Sequence, residues 1–182
     1  MKITIRIFNE VQAAVKLNTE DTIDREIKIL SIVTGKPESY FYEMSIERLK
    51  RKIRKTARRL TRFRQHVPSF FFLAGRLYKV QKDITRITAG QYIDIKTLNT
   101  DNVFENIHVL CAILCRPVTE RKYKGELVPE RAKLFYERLS INIAYPLMVF
   151  FFRLFTLSSL IILQSLHREM TTESEGESSR QA

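Results

Sequence analysis

The chain has 182 residues, with 31 Lys and Arg against 20 Asp and Glu, giving a formal net charge of +11. Hydrophobic residues at 45% and charged residues at 28% exclude a wholly disordered, collagen-like or low-complexity chain. The length fits one domain, or two small lobes sharing a core, and excludes a large multidomain enzyme.

In chain order, Met1 to Phe8 alternate Lys2, Thr4 and Arg6 with Ile3, Ile5 and Ile7, which predicts a short, half-buried strand. The segment has neither the continuous apolar stretch nor the cleavage site of a signal peptide. From Thr22 the period turns helical: Ile23, Ile27, Leu30 and Val33 share a face, Thr22 can cap, Asp24 sits in the first turn and Gly35 follows the end. Lys36-Pro37 forces a restart. Tyr40, Phe41 and Met44 then form one apolar turn, and Ser45 can cap the next helix.

That next helix is unusual. Arg48 to Arg64 carry ten basic residues and no acid, while Ile46, Leu49, Ile53, Ala57 and Leu60 recur at steps of three and four as one narrow apolar stripe. A merely solvated helix interleaves acids for i,i+4 pairs; here repulsion is uncompensated, so an anionic partner is expected. An acidic protein surface, nucleic acid and anionic lipid all meet that requirement. Phe63 is the sole aromatic in the run, which gives base stacking little support. Arg51, Arg54, Arg58 and Arg62 are the candidate electrostatic contacts. His66 and Pro68 are expected to end the helix, with Pro68 as the best internal boundary.

Beyond it, Phe70 to Leu73 and Arg76 to Val80 flank Ala74-Gly75 as a predicted hairpin. Thr88 can cap a helix reaching Leu98, another runs from about Asn102 to Leu114, and Pro117 with Lys122 to Pro129 makes an exposed loop. Pro129 opens a helix to Leu139. Pro146 leads into a second unusual segment, Tyr145 to Leu163, almost unbrokenly apolar with Arg153 near its middle. Its length matches a membrane span, but burial in the fold or an assembly, with a partner for Arg153, is the favoured expectation. Phe150, Phe151 and Phe155 are the candidate apolar anchors for a partner. Met170 to Ala182, rich in Ser, Thr and Glu, reads as a flexible tail.

Catalytic signatures are missing: no Gly-rich phosphate loop, nucleophile elbow or zinc-protease motif, and five glycines in all. No catalytic residue, metal or cofactor is expected. His108, Cys111 and Cys115 are spaced to line one helical face, but the apolar run around them reads as core, and zinc would need a fourth ligand such as His66, His167 or an acid. Two cysteines with no signal peptide point to a reducing compartment rather than a secreted disulfide scaffold.

Asp24 to Pro37 (DREIKILSIVTGKP), Met44 to Leu49 (MSIERL), Leu77-Tyr78, Ile87 to Asp94 (ITAGQYID), His108 to Ala112 and Arg131 to Phe152 occur in an order that resembles small tail-assembly-chaperone-like proteins of tailed bacteriophages, in particular those of gut Bacteroidetes-type hosts. The resemblance implies a mostly helical, non-enzymatic virion-morphogenesis protein that coats a tape-measure or other helical structural protein in the host cytoplasm. Two features depart from that pattern: the density of the basic run and the length of the apolar one.

The expected fold is α+β and predominantly helical. It has an N-terminal strand and helical lobe over 1–66, a hairpin and helical lobe with an apolar last helix over 67–168, and a tail over 169–182. The alternatives to an assembly protein are a membrane protein anchored through 145–163, in the host inner membrane with its basic part cytoplasmic, and a basic virion protein binding nucleic acid. A homo-oligomer is compatible with each.

Overall fold

In the computed structural model, which describes residues 2–16, 22–63, 66–98 and 103–153, the alternating N-terminus is helical rather than a strand. Helix α1 (Ile5–Lys16) buries Ile5, Phe8, Val11 and Ala14. That stripe at three-residue steps runs over ten residues, nearly three turns, and outlasts the short Ile3, Ile5, Ile7 alternation, so the longer pattern prevails. Only Thr4 keeps the extended pairing, as an isolated antiparallel bridge to Ser140.

Helix α2 (Thr22–Thr34) buries Ile27, Leu30 and Val33, and ends at Gly35, whose φ of 69° lets its N–H return to the Ser31 carbonyl at 2.8 Å. After Pro37 comes the one-turn α3 (Ser39–Tyr42), then α4 (Ile46–Thr61) following Ser45. Ile27, Leu30, Phe41 and Leu49 form one buried cluster, with Met44 and Ile53 packed against it. The basic helix is thus seated on α2 by Leu49 and Ile53, while Ile46 and Ala57 of the expected stripe are exposed.

Strands β1 (Phe70–Leu73) and β2 (Arg76–Val80) form the predicted hairpin, in register Phe71 to Tyr78 and Phe72 to Leu77. Its two-residue turn places Ala74 and Gly75 at φ of 49° and 76°, the left-handed pair whose twist suits a tight hairpin. A third strand, β3 (Cys115–Pro117), pairs antiparallel with β2 where a helix end and a loop were expected. On the sheet's inner face Phe71 stacks on Tyr78 at 5.3 Å, and Phe135 meets both rings edge-on at 5.8 and 5.1 Å.

Helix α5 (Ala89–Lys96) carries a complete capping box between Thr88 and Gln91, and the Gln91 amide also donates to the Ile113 carbonyl at 2.9 Å. Helices α6 (Val103–Leu114) and α7 (Val128–Arg138, with Pro129 in its first turn) pack on one another and on α1. The buried Arg131 of α7 ties them together. Its guanidinium donates to the carbonyls of Ala112 and Cys115 at 2.9 and 3.2 Å and to Glu120 at 2.6 Å. Two carbonyls at the C-terminal end of α6 and the start of β3 thereby gain a charged donor.

The fold is α+β and predominantly helical. The chain divides into two compact units, Met1–Met148 and Val149–Ala182. In the first, helical residues begin at 141, ahead of Pro146. In the second, 149–153 are helical and Phe151 meets Phe152 edge-on at 6.0 Å. Among the described residues no helix is long and apolar enough to cross a membrane. Residues 154–163 of the apolar run and the tail over 169–182 lie outside the described residues.

Candidate anion-binding site

The basic helix ends earlier than the position of His66 suggests, at Thr61, because Arg62 leaves the helical conformation (φ −91°, ψ 86°). The turn carries Phe63 onto an aromatic cluster. Phe63 stacks on Tyr145 with ring centroids 4.1 Å apart and meets Phe8 edge-on at 5.9 Å, while Phe104 lies 6.0 Å from Phe8. Helix α4 is therefore fixed twice, by Leu49 and Ile53 on α2 and by Phe63 beyond its end.

Between these two fixings its basic side is left uncovered. Arg51, Arg54, Lys55, Arg58, Arg59 and Arg62 form one wall of an open basin of about 970 Å³. Lys2, Ile3, Ser140 and Asn142 form the other. That second wall is held by backbone pairing: the Ile5 N–H donates to the Leu139 carbonyl and the Ile141 N–H to the Ile3 carbonyl, both at 3.0 Å. The Ser140 hydroxyl also donates to Ile3, at 3.4 Å.

Seven cationic side chains thus face one recess with no carboxylate in its lining. Among the described residues none of the seven makes an ion pair. The nearest internal use of a guanidinium is Arg54 Nε donating to the Lys50 carbonyl at 3.4 Å, a long and weak bond. The Asn142 Oδ1 atom is buried without a hydrogen-bond partner, so no cation reaches across to it. The donors remain directed at solvent.

All four arginines singled out from the sequence, Arg51, Arg54, Arg58 and Arg62, are exposed and line this basin. Lys55 and Arg59 join them and could have been found by projecting the run on a helical wheel opposite Leu49 and Ile53. Lys2 could not, because only the fold brings it across. Of the candidate apolar anchors, Phe150 is half-buried, Phe151 is buried, and Phe155 lies outside the described residues. Exposed apolar side chains are found instead at several places, among them the outer face of the hairpin, where Phe72 is 68% exposed, Phe70 50% and Leu77 46%.

Cys115 opens β3 instead of continuing α6, so His108, Cys111 and Cys115 do not share one helical face, and His108 is half-buried. Both cysteines are free and fully buried, and burial pushes their thiols well above the ordinary range. Among the described residues no group of three His, Cys, Asp or Glu side chains is placed to hold a metal ion. His108 lies edge-on to Tyr136 at 5.1 Å, and desolvation holds its imidazole below the usual 6.5, with the Glu105 backbone pulling weakly the other way.

A base whose folded pKa is depressed binds its proton more readily when unfolded, so stability rises with pH through this range. Unfolding free energy is expected to fall as pH drops from about 7.5 to about 5.5, and His108→Phe should flatten that fall in urea titrations. An identical pH dependence in the variant would remove His108 as its source.

No protein-family model, curated protein or solved structure matches the chain.

Proposed function

We propose that the chain is a non-catalytic binding protein that seats a polyanionic partner in the basin along α4. The observation that supports this most directly is the convergence of seven cations on one recessed surface whose lining holds no acid. Like charges at i,i+3 and i,i+4 repel by about 0.2–0.5 kcal/mol per pair, and a polyanion converts that repulsion into attraction. Arginine dominates the wall, and its planar fork matches carboxylate, sulfate or phosphate oxygens two at a time. The setting proposed for this binding is the host cytoplasm.

The test is binding of the full chain to heparin, a flexible sulfated polyanion, with neutral dextran as control. Binding that weakens steeply with salt, and is lost when Arg51, Arg54, Arg58 and Arg62 are all changed to Gln, is the expected result. Retention by the fourfold variant equal to that of the parent would place the charge interaction elsewhere.

A second reading follows the resemblance to tail-assembly chaperones and is favoured by a different surface. Phe70, Phe72 and Leu77 expose apolar area on the outer face of the hairpin, the kind of surface on which an aggregation-prone helical client docks. On this reading Phe72→Asp abolishes suppression of a tape-measure segment's aggregation, measured by light scattering, while leaving heparin binding intact. Undiminished suppression by that variant would discard the hairpin face as the client site.

A further inference from the structure

The polyanion reading can be narrowed by the shape and chemistry of the basin, and the narrower claim rests on that reading. We infer that the partner is the phosphodiester backbone of a nucleic-acid duplex, bound without regard to base sequence.

The first consideration is the cation ladder. Arg51, Arg54 with Lys55, and Arg58 with Arg59 make three successive rungs on one side of α4, and Arg62 follows just past its C-terminal end. Eleven residues of helix rise about 16 Å, one rung per turn of about 5.4 Å. A duplex carries one phosphate per strand for every 3.4 Å or so of its axis, so about 16 Å presents about five phosphates on the strand that faces the helix. Seven cations are enough to face each of about five phosphates, with rungs about 5.4 Å apart against phosphates about 3.4 Å apart along the axis. Lys2, on the opposite wall, lets the recess hold one strand's backbone from two sides.

The second consideration is what the lining lacks. Single-stranded nucleic acid is held by bases stacked on aromatic rings, and no aromatic side chain is among the residues lining the basin. Phe63 and Tyr145 are stacked on each other instead. An acidic amphipathic protein helix docks through apolar anchors at i, i+3 and i+7, and Ile3 is the one large apolar residue lining the recess. A lipid surface is bound by inserting the apolar side of a basic helix, and in α4 that side, Leu49 with Ile53, is packed on α2. A duplex backbone needs none of these. It needs a row of forked cations and a recess, and both are present.

The third consideration is specificity. Base edges are read by donors and acceptors together, and the basin offers almost only donors, which suit phosphate oxygens. Two duplexes of unrelated sequence should therefore bind alike.

The experiment is fluorescence anisotropy with the full chain over about 50–200 mM salt. The probes are two labelled DNA duplexes of about 20 bp with unrelated sequences, an RNA duplex, one of the single strands, and poly-L-glutamate as competitor. With about five phosphates neutralised, log K against log salt should slope at about −4.5, a loss of about 500-fold in affinity across that range. Single strand and polyglutamate should bind at least about tenfold more weakly than duplex, and the two DNA sequences within about threefold of each other.

The fourfold Gln variant should make the slope shallower by about 3.6, and Arg54→Gln or Arg58→Gln alone by about 0.9 each, which keeps the test intact if the fourfold variant misfolds. Equal binding of single strand or polyglutamate, still weakened by the Gln variants, overturns the duplex inference and leaves the polyanion reading standing. Strong preference between the two DNA sequences overturns the backbone-only claim. Binding of no polyanion, or binding indifferent to the Gln variants, overturns both.

Discussion

Arg131→Met is expected to cost about 3 to 5 kcal/mol, enough to unfold much of the population of a domain whose total stability is about 5–15 kcal/mol. The side chains of Arg131 and Glu120 are 5% and 11% exposed, and among the described residues their contact at 2.6 Å is the only pairing of the carboxylate, since Glu120 Oε1 is buried without a hydrogen bond there. Removing the guanidinium strands a desolvated carboxylate and takes the charged donor from the carbonyls of Ala112 and Cys115. Methionine refills most of the volume, so the loss reports the missing charge rather than a cavity. Changing Glu120 to Gln in the same chain should recover part of the loss, because a neutral amide is cheaper to bury than an unpaired carboxylate. Urea unfolding followed by circular dichroism measures both. A single-variant cost below about 1 kcal/mol would mean that packing of α6 on α7 does not depend on this arginine.

Phe135→Ala should be comparably severe, at about 3 to 5 kcal/mol, for a different reason. Phe135 is fully buried and is the one ring of α7 that meets both Phe71 and Tyr78, so it joins the sheet to the helices. Alanine leaves a void bounded by two strands and a helix, and strands paired in fixed register cannot close inward to fill it. Phe135→Leu keeps most of the volume and loses mainly the edge-to-face contacts, each worth about 0.5–1.5 kcal/mol, so it should cost clearly less than alanine. Equal costs for Leu and Ala would show that the ring geometry, not the filled volume, carries the stability.

The sequence was most legible where punctuation and period agreed. Ala74-Gly75 between two apolar runs specified the hairpin, and Thr88 with Gln91 specified the start of α5, because each is a local device that works within four residues. The N-terminus failed because Ile3, Ile5 and Ile7 satisfy period two while Ile5, Phe8, Val11 and Ala14 satisfy a helix, and only the longer stretch decides. Strand β3 left no signal: three residues ending in Pro117 are too few for a period, and its pairing to β2 is a tertiary event. The cationic wall of the basin could be read directly from the density of the Arg48 to Arg64 run. Its opposite wall could not, since Ser140 and Ile3 are 137 residues apart and are brought together by the tertiary pairing around the Thr4 to Ser140 bridge.

Holding α4 by its two ends, with every cation of the basin wall facing water, gives dissolved ions two opposite effects on the same helix. Counterions shield the guanidinium groups from one another, so thermal unfolding should shift upward as salt rises from about 0.05 to about 0.3 M. The same ions compete for the phosphates, so affinity should fall over that interval. Folding and binding then respond to ionic strength with opposite sign. A buffer chosen to maximise the melting temperature would be one in which binding is hardest to detect.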